Sequence, residues 1–435
     1  MASALPRASM VLAVVLSAIL VFGATRAGIG IGEDSTSYSM AARSLHEGHG
    51  LATDEGRGHL EPLTHFPPLV STLLAAGCAA GLHPNQSGRI LQVALMALTT
   101  LAVGLTVTRY ARNRWTAPLA ALFTAVSVDL LSYHIELGSE PLFYLLLALL
   151  AADLQRPRYR LLIVAAVVVS LATLTRYAGV VLVGVGTLAL VLWSPRPGRA
   201  RLLAAALFLL ISTAPLAAWT ARSVLLTGSA ANRTLAFNPV SEWALRQARH
   251  TLSRWLIPDS VPWLRRTYVV PPALAILTAA GLAAVLLRRG AASEPCDLPA
   301  TSARSSRPIL KLSALFVALY IPFLLCCLVL LDAAVPLDAR MFSPALLAVI
   351  LLGSLVIDRI LANLTHRPAL RWASIAVVLA GLAVHATAAA NWLRHDAAEL
   401  QCFNAPEWHS SRIIAHLRQL PPDAQVWTTL VQDNP

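Results

Sequence analysis

Runs of about 20 apolar residues recur along the whole of this 435-residue chain. Few folds accommodate them. Coiled into a helix, such a run matches the hydrocarbon thickness of a bilayer. In lipid the backbone must satisfy its own polar groups, which helices do within one segment. Composition agrees: 57% of residues are hydrophobic and 13% charged, too few charges to cover a soluble protein of this size. The fold class is an all-α polytopic membrane protein.

Apolar spans fall at about 10–28, 90–108, 115–134, 140–155, 160–176, 178–193, 202–223, 269–288, 310–331, 341–360 and 372–393, giving about eleven transmembrane helices. The stretch 68–82 is apolar but short for a crossing. Basic clusters settle its status. Arg109, Arg112 and Arg114 follow the second span, and similar clusters follow the fourth, sixth, eighth and tenth. With eleven crossings and a cytoplasmic N-terminus, all five clusters lie inside, as the positive-inside rule requires. Counting 68–82 as a crossing would put them all outside, so it reads as re-entrant or interfacial. The net charge of +12 is explained by these clusters and implies no nucleic-acid partner. The expected location is the cell (inner or plasma) membrane, multi-pass, with the C-terminus outside. The first span has a poor cleavage site after it and reads as an uncleaved helix.

Two units follow: a transmembrane domain over 1–393, with a first outer loop at 30–89, and a short outer tail over 394–435. About 40 residues are few for an independent core. The tail therefore reads as packed on the membrane domain or as part of a longer segment. Within the long loop after the 202–223 span, Ser241 to Leu256 sets Trp and Leu among Arg and Gln, the pattern of an interfacial amphipathic helix. The five Cys form no C-x-x-C and read as small buried hydrophobes.

Acids concentrate on the expected outer side, which points to chemistry there. The first outer loop alone holds Glu33, Asp34, Glu47, Asp54, Glu55 and Glu61 of the 22 acids. Asp34, just past the first span, is the leading candidate for a general base, with Glu33 its rival. A carboxylate at a lipid–water boundary is tuned by desolvation and by neighbouring charges. The run D-S-T-S-Y-S also suits a helix N-terminus, with Asp34 as cap. Glu140, in G-S-E-P-L-F, is a second outer acid, and its place before Pro also suits a helix dipole. His65 precedes Phe66-Pro67-Pro68, which fixes the backbone there. Arg176 and Arg340 are intramembrane or boundary guanidiniums. Such charges are costly and mark function by default, and guanidinium suits phosphate. For Arg340 the plainer reading is a surface pair with Asp338, and for Arg222 it is snorkelling at a helix end. His46-Glu47-Gly48-His49 brings its second His one residue too early for H-E-x-x-H. No metal and no cofactor are expected.

These motifs, in this order, resemble the GT-C superfamily of polyprenyl-phosphate-sugar-dependent glycosyltransferases, near its protein O-mannosyltransferase and aminoarabinose transferase branch. Glu33-Asp34 with Ala41-Ala42-Arg43-Ser44-Leu45 resembles the acidic first-loop motif and its juxtamembrane helix. His65-Phe66-Pro67-Pro68-Leu69 is similar to the (Lys/His)-x-Pro-Pro-Leu segment, and Arg89 to the Arg opening the second helix. Ser139-Glu140-Pro141 sits where the second outer acid stands. Thr175-Arg176-Tyr177 and Asp338-Ala339-Arg340-Met341 resemble the later Arg motifs. Many members carry Asp where Glu140 stands.

The resemblance implies an inverting transferase that takes a sugar from a polyprenyl-phosphate donor on the outer face. Asp34 would be the base, with Glu33 and Glu140 beside it. His65, Arg176, Arg340, Arg222 and Arg89 would hold the donor phosphate. The partners implied are the lipid-linked donor, membrane lipid and an acceptor protein, lipid or glycan. The competing readings are a transporter or flippase for lipid-linked sugars, or another envelope polysaccharide ligase.

Overall fold

The computed structural model describes residues 4–54, 59–153, 159–230, 235–258, 307–331, 335–395, 411–417 and 419. The helices in chain order begin with α1 (Ala4–Ala24), α2 (Glu33–His46) and, after a small hairpin, α3 (Leu69–Ala79). The hairpin strands are β1 (Ala52–Asp54) and β2 (Leu60–Pro62). Then come α4 (Pro84–Tyr110), α5 (Thr116–Ala125), α6 (Val128–His134), α7 (Glu140–Asp153) and α8 (Tyr159–Thr175). A 3₁₀ turn at Tyr177–Gly179 leads into α9 (Val180–Trp193) and α10 (Gly198–Thr227). The last are α11 (Glu242–Arg254), α12 (Arg307–Leu330), α13 (Ala339–Asn363), α14 (Pro368–His395) and the short α15 (Arg412–Leu417).

Ten of the eleven expected spans fall on these helices, with 115–134 split into α5 and α6; the span 269–288 lies outside the described residues. Among the described residues, six helices are long and apolar enough to cross a membrane: α1, α4, α10, α12, α13 and α14. The α5–α6 pair, bent by 54°, makes a seventh if it is one broken span. Helices α7, α8 and α9 have 14, 17 and 14 residues, shorter than the ~20 of a straight crossing. The 68–82 stretch forms α3, whose 11 residues rise about 16 Å, half a hydrocarbon core.

One end of the bundle gathers the start of α4, the end of α8, the starts of α7 and α13 and the loop after α1. Gly30 pairs with the segment before α7, its N–H bonded to the Ile135 carbonyl at 2.7 Å and its carbonyl to the Leu137 N–H at 2.9 Å. Gln92 of α4 braces the same segment through the Glu136 and Gly138 carbonyls at 3.1 and 3.0 Å. Among the described residues, the opposite end carries the basic clusters that follow α4, α9 and α13. There Asp358, buried near the end of α13, accepts from the Arg112 and Asn113 N–H groups and the Thr116 hydroxyl, each at 2.8 Å. That carboxylate fixes the turn between α4 and α5. The core between the ends is aliphatic and aromatic, with Tyr144, Phe143, Phe208 and Phe316 almost wholly buried.

Candidate active site

Asp34 enters the site from the first turn of α2. Gly32 rather than Asp34 holds the N-cap position of that helix, and its N–H donates to the Ser35 hydroxyl at 3.0 Å, one half of a capping box. Asp34 is thereby left free of capping duty and turned toward α13. Glu33 begins the helix, and its side chain lies outside the described residues.

Arg340 meets Asp34 from the first turn of α13. Asp338 is the N-cap of that helix, accepting from the Met341 N–H at 3.1 Å. The plainer reading of Arg340, a surface pair with Asp338, gives way to a different arrangement. The Arg340 guanidinium bonds Asp34 through Nη2 and Glu140 through Nε. Glu140, at the head of α7, also pairs with Arg176, whose Nη1 reaches Ser139 Oγ at 3.2 Å. The Glu140 side chain is only 2% exposed. Two guanidiniums on one buried carboxylate offset a desolvation penalty that neither partner would bear alone.

Arg176 sits where α8 breaks into the 3₁₀ turn, and its position depends on Gly179. A Cβ there would lie 2.6 Å from the Ala172 carbonyl carbon and the Thr173 nitrogen, so only glycine lets the turn fold back on α8. Hydroxyls brace the floor. Tyr320 donates to the Met341 carbonyl at 2.9 Å, and Tyr144 meets Ser343 at 2.5 Å. Tyr38 of α2 is buried against Phe66, ring centroids 5.0 Å apart.

A third carboxylate, Glu136, stands next to this cluster, close enough to Gly32 that a Cβ there would lie 2.5 Å from its Oε1. Burial is the main cause that raises its carboxyl above the ordinary range. Arg340 opposes the shift, while Glu140 and Asp34 reinforce it. Asp338 is raised by burial as well, against the pull of the Met341 N–H and Arg340. In the sequence Glu136 is one of two acids in a short outer turn; its place beside Asp34 comes from the Gly30 pairing, which no motif spells out.

The remaining expected residues sit around this centre. His65 is exposed on the loop after β2, edge-on to Phe66 at 4.6 Å. Its neighbour Thr64 accepts from the Tyr177 hydroxyl at 2.9 Å, so the loop is docked beside Arg176. Arg222 donates to the Leu63 and Leu51 carbonyls at 3.1 and 3.2 Å while lying over Trp219. It clamps the β1–β2 hairpin to α10. Arg89 donates to the Phe22 carbonyl at 3.1 Å and to Thr25 Oγ1 at 3.2 Å, closing the end of α1. The structure therefore brings Asp34, Glu140, Arg176 and Arg340 into one cluster and engages Arg222 and Arg89 with the backbone around it. His49 and Glu47 form an exposed contact of 3.8 Å. Among the described residues no three His, Cys, Asp or Glu side chains converge to hold a metal ion, and the central acids are held by guanidiniums.

No protein-family model matches the chain, and no curated protein sequence does. Solved structures do. The oligosaccharyltransferase AglB of Archaeoglobus fulgidus, in complex with Zn and sulfate, aligns at 16% identity and a TM-score of 0.54, over 95% of this chain and 56% of its own. The same protein with an inhibitory peptide and a dolichol-phosphate gives 14% and 0.52, over 96% and 58%. The aminoarabinose transferase ArnT of Cupriavidus metallidurans, bound to undecaprenyl phosphate, gives 14% and 0.57, over 95% and 81%. The chain shares its fold with AglB and ArnT, both of them GT-C glycosyltransferases. The chain spans a little over half the length of AglB and about four-fifths of ArnT. At these identities the GT-C likeness is one of architecture, and the site's chemistry rests on its own residues.

Proposed function

We propose that this chain is an integral-membrane glycosyltransferase, moving a sugar from a polyprenyl-phosphate donor to an acceptor on the extracytoplasmic face with inversion. The observation that carries the reading is the Asp34–Arg340–Glu140–Arg176 cluster at one end of a GT-C bundle. Two neighbours of the same fold hold polyprenyl phosphates, dolichol-phosphate in AglB and undecaprenyl phosphate in ArnT.

The cluster suits a single displacement. Arg340 is shared between two acids, with Nε on Glu140 and Nη2 on Asp34. A donor phosphate arriving beside it competes for Nη2. Glu140 keeps hold of Nε, so the guanidinium stays in place while Asp34 is released. Asp34 then takes the proton of the acceptor hydroxyl or amine. The acceptor atom forms its bond to the anomeric carbon from the face opposite the phosphate. The bond between that carbon and the phosphate oxygen breaks, and its electron pair leaves with the phosphate. Arg340, Arg176 and the nearby His65 offset the charge that develops there. Glu140 is a positioning residue in this scheme. Glu33 borders Asp34 in sequence, while Arg222 and Arg89 hold the hairpin and the end of α1.

The test is turnover by the full chain in lipid nanodiscs, supplied with a panel of polyprenyl-phosphate hexoses and pentoses and with cell-envelope extract as acceptor source. Release of polyprenyl phosphate with transfer of sugar supports the reading. In proteoliposomes, passage of an intact lipid-linked sugar without cleavage would replace it with a transporter.

A further inference from the structure

A cavity opens beside α13, away from the acid–guanidinium cluster. Its volume is about 320 Å³, at the lower end of small-molecule sites, which span ~300–1,000 Å³. Helices α5, α6, α11, α13 and α14 all contribute to its lining. None of the Asp34, Glu140, Arg176 and Arg340 side chains does, yet the two sites share a helix. Leu346 of the cavity wall lies less than two turns beyond Arg340, and Trp255 of the wall packs edge-on against Phe342 at 6.4 Å.

The lining is unusual for a cavity in an apolar bundle. Trp255, Trp392 and Phe123 supply flat apolar faces, and Asn391, His385 and the Asp129–Arg254 ion pair supply hydrogen-bonding groups. That ion pair, at 2.6 Å, ties α11 to α6. His385 bonds the Trp255 backbone and packs tilted against Phe123, ring centroids 4.6 Å apart, tying α14 to the same wall. The frame is thus fixed by charged and aromatic contacts. Trp255 is only 8% exposed. Among the described residues its indole N–H has no acceptor, although buried donors are nearly always satisfied.

We infer that this cavity binds a saccharide, the sugar portion of the acceptor, with the Trp255 N–H donating to a ring or hydroxyl oxygen. Aromatic faces beside mixed donors and acceptors match a molecule with apolar C–H faces and a hydroxyl rim, and the volume suits a sugar better than a lipid tail. The position fits an acceptor: the proposed donor-phosphate groups gather around Arg340 and Arg176, and the cavity borders the same helix at Leu346. The acceptor role rests on the glycosyltransferase reading above; saccharide binding itself does not.

The full chain in nanodiscs is titrated with methyl glucoside, methyl mannoside, methyl galactoside, glucosamine and N-acetylglucosamine, read by saturation-transfer NMR, and separately with undecaprenyl phosphate. At least one sugar binds the wild type. Trp255→Phe keeps the ring and weakens that binding by about 2–10-fold, the value of one hydrogen bond. Asn391→Trp, at an exposed position on the rim, fills the cavity and abolishes it. Undecaprenyl phosphate binds all three proteins alike. Binding of undecaprenyl phosphate with no sugar bound would overturn the cavity assignment alone. Sugar binding unchanged in both variants would do the same. Sugar binding without any affinity for undecaprenyl phosphate would keep the cavity and remove the donor reading.

Discussion

Arg340 Nε donates to the Glu140 carboxylate at 2.5 Å, joining residues 200 positions apart in sequence. The bond locks the head of α13 onto the head of α7. It also leaves the far side of the guanidinium turned to Asp34. One buried carboxylate therefore sets the position of the cation that faces the base.

Removing that carboxylate should unsettle both guanidiniums. Glu140→Gln leaves the buried Arg176 with a neutral partner and Arg340 with Asp34 alone, and breaking a buried pair costs about 3–5 kcal/mol. Thermal unfolding in nanodiscs should begin well below the wild-type temperature, and turnover should fall with it. Glu140→Asp keeps the charge and should recover part of the stability. Equal stability of Gln and wild type would mean that the two guanidiniums do not depend on Glu140.

Arg222 and Arg89 separate framing from phosphate binding. Arg222→Ala loses two donors to the hairpin carbonyls of Leu63 and Leu51, worth about 1–3 kcal/mol together. Limited proteolysis should then cut the 51–68 segment faster, with undecaprenyl phosphate binding changed only modestly. Arg89→Ala should loosen the end of α1 in the same way. Loss of phosphate binding with the hairpin intact would place Arg222 on the phosphate.

Much of this was legible in the chain. Ten of the apolar runs fell on helices because burial in lipid demands uninterrupted apolar length, a local property. Asp34, Glu140, Arg176 and Arg340 stood out because an ionisable group beside an apolar run is expensive. Their pairing was not legible: Asp338, two residues from Arg340, offered the plainer partner, whereas Asp338 caps α13 and the Arg340 guanidinium reaches Glu140 and Asp34. Arg222 and Arg89 carry the same local signature as Arg176, and only the tertiary arrangement assigns the Arg222 donors to backbone carbonyls and the Arg89 donors to the Phe22 carbonyl and the Thr25 hydroxyl. Glu136 was hidden for the converse reason, since its approach to Gly32 arises from a two-residue bridge between distant loops.

Gly179 should tolerate no side chain. A Cβ would strike the α8 backbone at 2.6 Å, and relieving such overpacking costs about 1–3 kcal/mol. Gly179→Ala should move the turn that carries Arg176, lowering turnover more than it lowers the unfolding temperature. An active, fully stable variant would show that the turn has room to shift.

Glu136 gives a pH test with a definite sign. Its carboxyl is raised in the folded state, chiefly by burial, so the folded protein holds the proton more tightly than the unfolded chain. Stability from this group is present below the unfolded value, about 4.3, and is lost as pH rises through the folded value. Glu136→Gln should therefore be relatively more stable than wild type at neutral pH, with the gap closing as pH falls toward 4. Denaturation midpoints across pH 4–8 measure it; a gap that widens on acidification has the wrong sign.

The central claim is that Asp34 takes the proton. Asn at that position still offers Arg340 an oxygen but has no basic carboxylate. The decisive measurement is single-turnover transfer from a polyprenyl-phosphate sugar by purified wild type and Asp34→Asn, with undecaprenyl phosphate binding measured on the same samples. The variant should bind the lipid phosphate as well as wild type and transfer sugar about 10²–10⁴-fold more slowly. Transfer at the wild-type rate by Asp34→Asn would contradict the assignment.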